Sequence, residues 1–130
     1  MGAYAMPVKY IHFEEISSTH LYAMANGLSL SDFTVITAEH QSDGRGRLGR
    51  RWISSAGDSL LASVLLKPSI TLQEASLITP VLSVAICEYM EGLGVACSIR
   101  WPNDVMVGDR KIAGILSEAS YSDKLEFVVA

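Results

Sequence analysis

Four of the chain's ten basic residues, Arg45, Arg47, Arg50 and Arg51, crowd into one segment, Gln41-Ser42-Asp43-Gly44-Arg45-Gly46-Arg47-Leu48-Gly49-Arg50-Arg51-Trp52. Guanidiniums are fixed forks of N–H donors that match phosphate or carboxylate oxygens. Gly44, Gly46 and Gly49 let backbone N–H groups come close to such an anion and form a nest around it. With almost no apolar content, the segment reads as a mobile loop: like charges hold it open, and an anion closes it. Trp52 at its end is placed to anchor the loop or to stack on a planar ring. The letters also spell G-x-G-x-x-G. The residues that follow, Arg50 to Gly57, make a poor helix start, and an acidic residue is missing at the expected distance, so dinucleotide binding fails its context test. Without Gly-Lys-Ser/Thr it is not a triphosphate-cradling P-loop either.

Three further groups stand out. Arg100-Trp101-Pro102-Asn103-Asp104 puts side-chain oxygens at a strand junction. They suit an Asx turn, and equally one carboxylate of a magnesium–phosphate site. In Asp109-Arg110-Lys111-Ile112-Ala113-Gly114-Ile115-Leu116, Lys111 opens an apolar strand and Gly114 interrupts it, a mark of close approach by a ligand or another backbone, although a lysine there also suits a solvated edge. Ser18 and Thr19 are N-cap residues whose hydroxyls and neighbouring free N–H groups can also receive a polar head group. No Ser/His/Asp or Cys/His arrangement supplies a nucleophile, and His12, His20 and His40 are too scattered for a metal site. Cys87 and Cys97 read as small buried hydrophobes of a reduced protein.

These groups must be held by a small framework. The 130 residues are room for one domain, 49% are apolar, and the net charge is −4, which speaks against a general nucleic-acid binder. The start lacks a signal peptide and no stretch suits a bilayer span, so a cytoplasmic protein without membrane contact is expected. Strands are predicted over 8–13, 33–39, 59–66, 95–101, 105–107, 111–116 and 125–129. A first helix follows Ser17-Ser18-Thr19 and stops at Asn26-Gly27. One long helix covers 71–93, opened by a Thr71/Glu74 capping box, with Pro80 inside it to kink or split it. Late hairpins argue for an α+β fold with a mixed, largely antiparallel sheet packed against helices. The apolar final strand raises two expectations: that residues normally following it are missing, and that its edge is covered by a partner, such as a second copy in a homodimer.

Taken together, Ser18-Thr19, Gln41-x-x-Gly44-Arg45-Gly46-Arg47-x-Gly49-Arg50-x-Trp52, Trp101-Pro102-Asn103-Asp104 and Lys111-x-x-Gly114-Ile115-Leu116 resemble, in order and spacing, the catalytic domain of the biotin–protein ligases. The resemblance implies a class II aminoacyl-tRNA synthetase-like domain over 1–130, in a single-function form without a DNA-binding domain. It also implies a C-terminal truncation, with the family's further catalytic strands and small β-barrel absent. It implies ATP with Mg2+, conversion of biotin to biotinyl-5′-AMP, and transfer to a lysine of the biotin carboxyl-carrier domain of a biotin-dependent carboxylase. Arg47 and Lys111 would be catalytic. Biotin would meet Ser18, Thr19, His20 (where the family often has Asn), Gln41, Gly44, Arg45, Gly46, Arg47, Lys111, Gly114 and Leu116. ATP would meet Arg47, Arg50, Trp52, Asn103, Asp104 and Lys111, with Asp104 as the metal candidate. Arg100 keeps the charge of a common Lys. A lipoate–protein ligase shares this logic but uses Arg-Arg-x-Ser-Gly-Gly-Gly. The remaining alternatives are a biotin-binding fragment without catalysis and a nucleic-acid binder, against which the acidic charge balance speaks.

Overall fold

The computed structural model describes residues 6–130. In chain order the elements are β1 (Lys9–Ile16), α1 (Thr19–Asn26), β2 (Thr34–Gln41), β3 (Gly44–Arg45), β4 (Arg51–Trp52), β5 (Leu61–Leu66), α2 (Leu72–Ala75), α3 (Ile78–Gly92), β6 (Ser98–Arg100), β7 (Asp104–Val107), β8 (Arg110–Gly114), β9 (Glu118–Tyr121) and β10 (Leu125–Val129). The main sheet runs β1-β2-β5-β10-β9, and β6-β7-β8 form a second, three-stranded sheet. Among the described residues, only β1 and β2, joined through α1, are parallel; every other pairing is antiparallel. The expected α+β class with a mixed, largely antiparallel sheet therefore holds.

The core forms where α1 lies on the main sheet. Ala23 packs against Ile36, Leu65, Phe127 and Val129, and alternate residues of β2 and β5 point to this face and are buried, as period-2 geometry requires. Phe13 and Tyr22 add an edge-to-face contact at 5.0 Å. Gly27 follows the last helical residue, as expected for a stop, but its φ of −57° is helical, so no left-handed turn demands glycine here. Its reason is space: a Cβ would sit 2.3 Å from the Phe127 ring.

Three expectations are corrected. The long helix is two, α2 and α3, with the capping box intact: Glu74 N–H donates to Thr71 Oγ1 and Thr71 N–H to Glu74 Oε2. The break lies at Ser76–Leu77, so Pro80 falls in the first turn of α3, where its missing N–H costs little. Second, the stretch 41–51 is not an open loop. Gly44 pairs with Trp52 and Arg45 with Arg51 to make a short ribbon, closed when Gly46 N–H donates to Arg50 O and Arg50 N–H to Arg47 O. Third, β9 is a strand that its polar residues hid.

Candidate active site

A cleft of about 770 Å³ opens between the N-terminus of α1, β5, the β3–β4 ribbon, α3 and β8. Ser18, Thr19, His20, Gln41, Arg45, Gly46, Arg47, Trp52, Asn103, Lys111, Gly114 and Leu116 all line it. Leu82, Ile86, Tyr89 and Met90 of α3 give it an apolar wall. Residues separated by up to a hundred positions thus converge on one concavity, the usual form of a small-molecule site.

Its first polar network is made by α1, β2 and β5. Ser18 caps α1, its Oγ accepting from Leu21 N–H. Gln41 Oε1 accepts from both the N–H and the hydroxyl of Thr19, at 2.8 and 3.0 Å. The hydroxyl hydrogen of Thr19 being spent on Gln41, Ser63 must donate to Thr19 Oγ1 at 2.8 Å. This chain fixes the amide: the oxygen faces Thr19, and the Gln41 NH2 is the donor turned to other partners. Ser63 was not expected, since nothing in an apolar strand shows which inward residue lies beside a helix cap.

The second network is cationic. Arg47 Nη1 donates to Asn103 Oδ1 at 2.8 Å. Lys111 Nζ lies 2.8 Å from Asp104 Oδ1, a charge contact too poorly aligned to satisfy that oxygen by a hydrogen bond, and 5.5 Å from the centre of the Trp52 ring. Asp43 holds Arg45 at 2.8 Å and approaches Arg51 at 3.8 Å. The junction is anchored from α3: Ser83, fully buried, can donate to Pro102 O, and Ile115 N–H donates to Asn103 O.

Some of the expected site residues stand in settings that the sequence did not show. Gly44 does not line the cleft; it is small because a Cβ would meet the Trp52 carbonyl at 2.4 Å. The Gly46 N–H is consumed by the ribbon, so it is not a free donor for an anion. Arg50 and Asp104 lie outside the cleft lining. His20 lines it, but its Nε2 donates to Glu118 Oε1 at 2.9 Å, which requires the neutral ring to carry its proton on that nitrogen. Burial pulls its pKa below the ordinary imidazole value, against the raising influence of Glu118. Among the described residues no cluster of His, Cys, Asp or Glu could hold a metal. With Asp104 engaged by Lys111, the donor set does not fit a protein-held magnesium. No helix among the described residues is long and apolar enough to cross a membrane.

The profile of the biotin/lipoate A/B protein ligase family matches residues 12–130. The chain is 38% identical over 112 residues to the biotin–[acetyl-CoA-carboxylase] ligase of Paracoccus denitrificans, covering 81% of this chain and 45% of that protein. It is 36% identical over 111 residues to the bifunctional ligase/repressor BirA of Bacillus spizizenii, covering 83% and 34%. The chain thus spans between a third and a half of the length of these relatives. Biotin protein ligase from Aquifex aeolicus, solved with biotin and ATP, superposes with a TM-score of 0.72 at 35% identity, over 93% of this chain and half of that one. The enzyme from Leishmania major with biotin shares the fold at a TM-score of 0.74. A profile match over nearly the whole chain, on a fold that these structures share, makes this protein a member of the biotin/lipoate A/B protein ligase family.

Proposed function

We propose that the chain activates biotin with ATP and passes it to a lysine of a biotin carboxyl-carrier domain. The observation that carries this reading is the pairing, in one cleft, of an amide–hydroxyl network at Thr19, Gln41 and Ser63 with the cations Arg45, Arg47 and Lys111. Biotin has a matching division: a neutral ureido head that exchanges hydrogen bonds, an apolar body, and a carboxylate.

In the proposed first step the biotin carboxylate attacks the α-phosphorus of ATP, and pyrophosphate leaves with the electron pair of the broken P–O bond. The two reactants are anions, so the barrier is partly repulsion between them. Arg45, Arg47 and Lys111 offset it by placing fixed positive charge where the two anions meet. In the second step a carrier lysine amine attacks the acyl carbon of the mixed anhydride and AMP departs. Neither step uses an enzyme nucleophile. Magnesium enters only as the complex that ATP brings.

The test is biotin-dependent exchange of labelled pyrophosphate into ATP, with biotin binding followed by calorimetry. Exchange that falls at least about a hundredfold in Arg47→Ala is the expected result, a charge-stabilising group being worth that much. Biotin binding without exchange would reduce the chain to a binding domain. Lipoate-dependent exchange in place of biotin would overturn the substrate.

A further inference from the structure

In a regular strand residues three apart face opposite sides of the sheet, yet the Lys111 side chain lies over Gly114. A Cβ on Gly114 would stand 2.8 Å from Lys111 Cε and 2.9 Å from its Nζ. The register supplies the reason. Gly114 pairs with Asp104 and Ala113 with Val105, but Met106 then pairs with Lys111, which leaves Ile112 as an extra residue. This bulge rephases the strand by one residue and turns Lys111 onto the face of Gly114 and Asp104, and such re-aiming is what bulges do. The ammonium then lies across the glycine, against Asp104 Oδ1 and under the Trp52 ring.

We propose that the bulge at Ile112, Gly114, Asp104 and Trp52 form a seat that fixes the Lys111 ammonium in the cleft. Gly114 and Asp104 are positioning residues acting through Lys111, and the space above Gly114 belongs to the lysine stem, not to a ligand. This rests on the proposed function only for what the ammonium receives, the reacting carboxylate and phosphate.

The seat is testable without any ligand. In protein labelled with ¹³C-lysine, the ε-CH2 signal of Lys111, identified by its loss in Lys111→Arg, is expected upfield of the other lysines because of the Trp52 ring. Gly114→Ala should return it to the common position. Asp104→Asn, which keeps the shape and removes the charge, should move it the same way. An unshifted signal in the parent protein, or a signal unmoved by both variants, overturns the seat whatever the protein binds.

Calorimetry with biotin supplies the second readout. Gly114→Ala and Lys111→Ala should each weaken binding about tenfold or more, the range of a charge-assisted contact. Gly114→Ala should cost nothing further in a Lys111→Ala background. A glycine penalty that persists without the lysine would mean that the ligand itself needs the space. Parent protein that shows the shifted signal yet binds no biotin would remove the substrate reading and leave the seat.

Discussion

At the scale of single residues, the site depends on polar groups whose partners are far away in the chain. Thr19 and Gln41 were legible as ligand candidates, but their mutual bonding was not, because the contact arises from folding β1-α1-β2 into one unit. His20 shows the same limit. Its position in the cleft was expected, whereas its partner Glu118 lies 98 residues away in a strand too polar to anticipate. Because burial lowers the His20 pKa, the folded state binds fewer protons than the unfolded one between that lowered value and about 6.5. His20 therefore favours folding fully above this window, and the contribution is lost as pH falls through it. Replacing Glu118 by Gln removes the influence that raises the pKa, so the window should extend to lower pH. An NMR titration of the His20 ring in both proteins, with denaturation midpoints taken above and below the window, checks this. A His20 pKa that rises in Glu118→Gln would contradict the assignment.

At the scale of elements, the glycines of the two site hairpins look alike in sequence and differ in what crowds them. Gly44 faces the carbonyl of Trp52, which is backbone and cannot swing aside; Gly114 faces the end of a flexible lysine. Gly44→Ala should therefore push β3 from β4 at a cost of about 1–3 kcal/mol, as overpacking does, and expose the arginine ribbon to trypsin. Gly114→Ala should leave both stability and cleavage nearly unchanged. Equal trypsin sensitivity in the two variants would refute this contrast. The ribbon itself was hidden because Gly-Arg-Gly-Arg-x-Gly-Arg has no alternation of apolar and polar residues, the signal by which strands are read. By contrast the capping box of α2 was readable, because Thr71 and Glu74 contact each other locally. Pro80 located the helix break only within a few residues, since the first turn of a helix tolerates proline.

For the whole molecule, the question is what joins the early β1-α1-β2 unit to the last strand. Much of the order of elements could be read from hydrophobic pattern, but the pattern does not say which helix meets which strand. The answer is a contact between Gly27, just past α1, and Phe127 in β10, which is 2% exposed. Since α1 also carries Ser18 and Thr19 at its other end, the angle at which it lies on the sheet sets the position of the amide–hydroxyl network. Phe127→Ala should cost about 3–5 kcal/mol through the cavity it leaves. Gly27→Ala should cost about 1–3 kcal/mol by forcing a methyl group into the ring. In the double variant the methyl enters the space the ring has vacated, so the combined cost should be clearly smaller than the sum, as expected for residues sharing one contact. Urea denaturation of the four proteins closes that cycle. Simple additivity would mean that the cost of the methyl does not come from the Phe127 ring, and that the glycine is not what seats α1 on the last strand.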